Sequence, residues 1–224
     1  SCPAVEFEEF IKANPGHTVI SYVNTTAAVK AVTDVVVTST NARQIVESLP
    51  ADEKIIFGPD RNLGNYINSI TGRKMLLWNG ACHVHEQFSL EKILELKKQY
   101  PEAEVITHPE CKHYIVEISD FVGSTAALLK HAVKSDKKQF IVATESGVIH
   151  EMRKQCPDKE FIPAPPEDST CACNECNFMR LNTMEKLYNC LKYEMPEIFV
   201  DEEVQKKAIR PIKRMLDISE KLGL

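Results

Sequence analysis

The chain has 224 residues, 43% hydrophobic and 26% charged, with a net charge of −5, enough for one large or two ordinary globular domains. Its lysines and arginines are scattered, without the basic stripe of a nucleic-acid surface. No apolar run approaches the roughly 20 residues that span a bilayer, and the opening SCPAVEFEEF lacks the basic and apolar regions of a secretory signal. Neither nucleic acid nor a membrane is therefore an expected partner.

The spacing of Val5, Phe7, Phe10 and Ile11 predicts a short helix over residues 5–12, stopped by Asn14-Pro15-Gly16. Residues 17–23, rich in β-branched side chains, read as the first strand. Asn24-Thr25-Thr26 ends it and offers a cap for a helix over TAAVKAV. Val35-Val36-Val37 is a second strand, followed by Thr38-Ser39 and a helix over 41–49. A strand over 54–57 ends at Gly58-Pro59, a helix over 63–70 stops at Thr71-Gly72, and Met75-Leu76-Leu77-Trp78 is a fourth strand. GACHVH, residues 80–85, leads into a helix over 89–99 that ends at Pro101. The order then recurs: strand 104–107, a helix near Ile115, strand Phe121-Val122, Ser124-Thr125, helix 126–134, strand 139–143, helix 147–154 and strand 160–163. Residues 163–177, PAPPEDSTCACNECN, have no apolar period and read as a loop; helices over 178–192 and 201–222 close the chain. Strands alternating with helices imply parallel sheets covered on both faces.

The recurrence has a period of 86. Val19-Ile20 maps onto Val105-Ile106 (105 − 19 = 86), Asp34 onto Asp120, Thr38-Ser39 onto Ser124-Thr125, Ile55-Ile56 onto Ile141-Val142 and Pro15 onto Pro101, with no gap expected from residue 15 to 77. Such a period argues for duplicated units. The expected fold class is α/β: repeated three-layer α/β/α units with short parallel sheets. Residues 1–85 form one unit ending in the Cys82 loop, residues 86–177 a second ending in the cysteine-rich loop, and residues 178–224 a pair of C-terminal helices.

Eight cysteines in a chain of this length, with long helical and strand patterns, argue for metal or cluster ligation over a disulfide framework; Cys2, Cys156 and Cys190 read as ordinary thiols. Cys82 lies 19 residues before Pro101 (101 − 82) and Cys176 lies 20 before Pro196 (196 − 176), whereas Cys173 and Cys171 lie 23 and 25 before it. Cys176 is thus the counterpart of Cys82, and the frame puts a third cysteine at 82 − 86 = −4, upstream of Ser1. The CxxC pair Cys173 and Cys176 by itself fits a redox pair, half a zinc site or part of an iron–sulfur site. Three thiolates would leave one iron of a cluster open to act as a Lewis acid.

Polar residues also recur where strands end. In the frame Tyr22 matches His108 and Asn24 matches Glu110, which suits binding and proton transfer or plain helix capping. Thr38-Ser39 and Ser124-Thr125 both sit between a strand and a helix, where hydroxyls and amides hold an anion or cap the helix. No Walker A, GxGxxG or GxSxG pattern is present.

Together, YVNTTAAVKAVTDVVVTS, IIFGPDRNLGNYI, GACHVHE, HPEC, VGST and NECNFM resemble the quinolinate synthases over essentially the whole chain. The resemblance implies condensation of iminoaspartate with dihydroxyacetone phosphate to quinolinate, with loss of phosphate and water, by a cytoplasmic enzyme of NAD biosynthesis. It implies a 4Fe–4S cluster held by three cysteines, one from each of three units about a pseudo-threefold axis: Cys82, Cys176 and one that, with a first family domain, lies upstream of Ser1. Carried over residue by residue, it gives Tyr22, Glu110 and His85 catalytic roles, with Tyr22, Val23, Asn24, Ser39, His108, Pro109, Glu110 and Thr125 binding substrate. It also implies a functional link to L-aspartate oxidase or aspartate dehydrogenase as the source of iminoaspartate. The alternative is a non-catalytic metal- or cluster-binding module.

Overall fold

The computed structural model describes residues 2–168 and 175–224. Ten helices and eight strands are assigned among these residues. The first sheet holds β1 (Thr18–Tyr22), β2 (Val35–Val37), β3 (Ile55–Gly58) and β4 (Leu76–Leu77) in the order β2-β1-β3-β4. The second holds β5 (Glu104–Thr107), β6 (Phe121–Val122), β7 (Gln139–Ala143) and β8 (Glu160–Pro163) in the matching order β6-β5-β7-β8. All pairings are parallel. Around the first sheet run α1 (Ala4–Ala13), α2 (Ala27–Ala31), α3 (Ala42–Ser48) and α4 (Arg61–Thr71); around the second, α5 (Leu90–Gln99), α6 (His113–Glu117), α7 (Thr125–Lys134) and α8 (Gly147–Gln155). The chain ends in α9 (Met184–Tyr193) and α10 (Glu202–Lys221).

The two sheets repeat in detail. Asp34 Oδ2 accepts from Val19 N at 2.8 Å, and Asp120 Oδ2 accepts from Val105 N at the same 2.8 Å. Ser21 and Thr33 share a hydroxyl hydrogen bond at 2.8 Å, as Thr107 and Ser119 do at 2.6 Å. Thr33 then donates to Val29 O and Ser119 to Ile115 O. Each equivalence is 86 apart (107 − 21, 119 − 33, 115 − 29). These bonds satisfy polar groups that the packed helix would otherwise bury unpaired.

The gap-free frame needs one correction. Val19 pairs with Ile56 but Val105 pairs with Ile141, so β7 sits 85 residues after β3 (141 − 56). The offset returns to 86 at the last strand, where Leu76 and Ile162 are equivalent (162 − 76). Neighbouring residues in β3 and β7 are both apolar, so a one-residue slip leaves the hydrophobic match intact and is silent in the sequence. The helix expected over 178–192 is likewise two elements: a 3-10 turn, Met179–Leu181, and then α9, because Thr183 Oγ1 accepts from Lys186 N and caps a new start.

Strands buried on both faces explain the unbroken apolar runs. One core cluster gathers Ile20, Val37, Ile45, Phe57, Leu63 and Ile67 between the first sheet, α3 and α4, and Met215 and Ile218 of α10 pack onto it. α10 thus folds back on α2 and β2 of the first sheet. Phe57 is fully buried in that cluster. Phe57→Ala should cost about 3–5 kcal/mol of unfolding free energy, read as a fall in the urea midpoint with unchanged slope.

Candidate active site at the carboxyl ends of the strands

The residues singled out above fall at or just beyond the carboxyl ends of the parallel strands, where open α/β sheets bind ligands. The short turn after β4 brings Cys82 and the buried His85 beside His108 and Glu110, which follow β5. One ligand atom each from Cys82, His85 and Glu110 lie within 4.8 Å of one another. His85 stacks on His108 with ring centroids 4.8 Å apart. Glu110 Oε2 is 3.1 Å from His85 Nδ1 and 3.9 Å from His108 Nδ1. The Glu110 oxygen lies off the direction in which the His85 ring would donate, so Nδ1 has no aligned hydrogen bond and the contact is an ion pair. At the other end of the ring, Nε2 lies 3.1 Å from Thr144 Oγ1, just past β7.

Burial sets the charges. It disfavours a charged His85, yet the Cys82 and Glu110 partners outweigh it and raise the imidazole's pKa. Burial also disfavours a charged Glu110, but the close contact with the charged His85 keeps it below the ordinary carboxylate range. Burial and the charge on His85 push His108 down to about 4, so it stays neutral beside a charged ring. The buried Cys111 thiol, pushed well up by burial, donates to Ala143 O at 3.4 Å beneath the site.

Tyr22 closes the same region from the first sheet. Its hydroxyl donates to Ser39 Oγ at 3.5 Å, and burial raises its pKa, helped by the charges of Glu110 and Asp60. Pro109 is buried between His108 and Glu110. The backbone N–H of Val23 is committed to Val37 O at 2.8 Å, and Asn24 is exposed beyond it. Thr38-Ser39 do not cap a helix: α3 starts three residues later, and the Asn41 side chain turns back to accept from Thr38 N at 2.7 Å. In the second unit Ser124 does cap, accepting from Ala127 N at 3.3 Å, and Thr125 is the exposed first residue of α7. Cys176 is half-buried against the hydrophobic cluster that also receives Cys82. Cys171 and Cys173, expected not to be ligands, lie outside the described residues.

Several participants were missed from sequence. Asp60 is buried, accepting from Leu63 N (2.8 Å) and Cys82 N (2.7 Å). Burial and the charge on Glu110 raise its pKa to about 6. Asn62 donates to Glu86 Oε1 (2.6 Å) and Glu110 O (3.0 Å), and Arg61 to Glu86 Oε2 (2.7 Å), tying the start of α4 to both turns of the second unit. The Pro59-Asp60 step after a strand was a usable cap signal; Thr144 had none, because only the fold puts it against His85. Thr144→Val keeps the shape but leaves buried His85 Nε2 without this partner, and should cost about 1–3 kcal/mol in a denaturation measurement.

The fold and this site define a parallel α/β protein whose sheet edges gather a thiol, an imidazole and a carboxylate fit to hold a metal. The family model described as quinolinate synthetase A protein matches residues 1–217. A quinolinate synthase of Synechococcus sp. is 53% identical over 219 residues, covering 98% of this chain and 68% of that protein. Those of Synechocystis sp. (55%; 98% and 69%) and Chloroherpeton thalassium (53%; 98% and 68%) are similar over the same span. The chain belongs to the quinolinate synthase family.

Proposed function

We propose that this chain carries the site of a quinolinate synthase, forming quinolinate from iminoaspartate and dihydroxyacetone phosphate with loss of phosphate and water. The observation that carries the reading is the convergence of Cys82, His85 and Glu110 at the sheet edge of a chain in this family. A 4Fe–4S cluster fits the donors present. Cys82 and Cys176 are soft, half-buried ligands on one hydrophobic cluster, and neither forms a disulfide. Residues 1–85 and 86–177 are read as units contributing one cysteine each, with residues 178–224 as closing helices. A further unit, and with it a third thiolate, is assigned to the part of the relatives' length that this chain does not span.

When bound, such a cluster with one iron free of protein ligands supplies a Lewis acid that eases loss of hydroxide. The chain's own residues do the rest. The Glu110 carboxylate takes a proton from the carbon beside the substrate's imine or carbonyl and returns it in dehydration. His85, charged and held by Thr144, keeps Glu110 ionised between these steps. Tyr22 Oη, neutral because burial raises its pKa, donates a hydrogen bond to a substrate oxygen. Ser39, Thr125 and Asn24 hold the carboxylates and phosphate, and Val23, His108 and Pro109 shape the wall. The six described cysteines are free thiols, in keeping with a reducing cytoplasm.

The test is anaerobic reconstitution with iron and sulfide, followed by dihydroxyacetone phosphate and iminoaspartate generated in place by L-aspartate oxidase or aspartate dehydrogenase. Quinolinate should form with loaded protein and be absent without iron. Loaded protein that yields none would favour a non-catalytic cluster-binding module.

A further inference from the structure

We infer that Asp60 and Glu145 are paired positioning residues, each clamping the backbone of one cysteine to the start of the helix that follows the third strand of its own unit. This rests on the reading of Cys82 and Cys176 as cluster ligands. Asp60 lies two residues beyond the end of β3 and Glu145 two beyond the end of β7, 85 residues apart (145 − 60), the offset that relates those two strands. Asp60 Oδ1 accepts from Leu63 N in the first turn of α4 at 2.8 Å while Oδ2 accepts from Cys82 N at 2.7 Å. Glu145 Oε2 accepts from Gly147 N, the first residue of α8, at 2.7 Å, while Oε1 accepts from Cys176 N at 3.3 Å.

The chemistry needs a carboxylate at both places. Each clamp joins two N–H donors, and only a group with two acceptor oxygens satisfies both; an amide side chain offers one oxygen and turns an NH2 toward the second donor. Fixing the cysteine N–H fixes its Cα, and with it the direction of the thiol. The second clamp also explains a glycine. A Cβ at Gly147 would stand 2.7 Å from Glu145 Oε2, so any larger residue there must push the carboxylate aside from this position. Asp60 is one methylene shorter and its helix begins at the next residue, which makes the same span.

The test is the rate at which an iron chelator strips the anaerobically reconstituted protein. Asp60→Asn, Glu145→Gln and Gly147→Ala should each speed iron loss about 10- to 100-fold, the usual scale for groups that orient metal ligands. Gly147→Ala is the most telling, because alanine favours a helix and the displaced group is the end of a flexible side chain. Its thermal midpoint should hold while iron loss accelerates. Asp201→Asn, at the carboxylate cap of α10, should leave the rate unchanged. If Asp60→Asn does not fold, the two variants of the second clamp decide. Release within about two-fold of wild type for both of those, or equal acceleration by Asp201→Asn, overturns the inference. Cys82→Ala separates the levels: if it retains full iron, the ligand assignment itself falls; if it empties while the clamp variants are inert, only the clamp does.

Discussion

Glu110→Gln is expected to lower quinolinate formation about 10²–10⁴-fold, the range for loss of a positioned acid or base, with iron and sulfide still bound. Glu110 is the only carboxylate in the thiol–imidazole–carboxylate group, and it is buried and ion-paired at 3.1 Å with His85. Its ionised form is stabilised by that partner, so at neutral pH it is unprotonated and can accept a proton. Glutamine keeps the size of the side chain, and the main-chain bond from Asn62 to Glu110 O does not depend on the carboxylate, so the turn should hold. The substitution removes the basicity and the negative charge while keeping the shape. His85 would also lose its counter-charge and its pKa would fall toward the ordinary value. Turnover near wild type in loaded Glu110→Gln protein would take the proton-transfer role away from this residue.

The second large effect concerns ligation. Cys82→Ala and Cys176→Ala should each leave the protein with essentially no acid-labile sulfide after anaerobic reconstitution, whereas Cys171→Ala should load like wild type. With only two of the three thiolates left, too few soft donors remain to retain the cluster. Cys82 and Cys176 meet the physical requirements in the same way: a half-buried thiol, packing on a shared apolar cluster, and a backbone N–H tied to a carboxylate. Full sulfide content in Cys176→Ala together with loss in Cys171→Ala would reverse the correspondence drawn from the distances to Pro101 and Pro196.

The sequence alone determined the element order, the parallel α/β class and the duplication. Those follow from short-range physics: β-branched runs make buried strands, Gly and Pro stop helices, and an apolar pattern recurring at a fixed period must fill equivalent cores. For the same reason β5, β7 and β8 were legible to the residue, and Cys82, His85, His108 and Glu110 could be singled out. The tertiary structure alone decided what those residues touch. The one-residue offset of β7 is hidden because both possible partners are apolar, and it is what makes Asp60 the equivalent of Glu145. Thr144 reaches His85 from 59 residues away and Asn62 reaches Glu110 from 48 away; no local pattern encodes a contact that depends on how two sheets meet. The return of α10 onto α2 and β2 is of the same kind, since an amphipathic helix specifies that it must be covered but not by what.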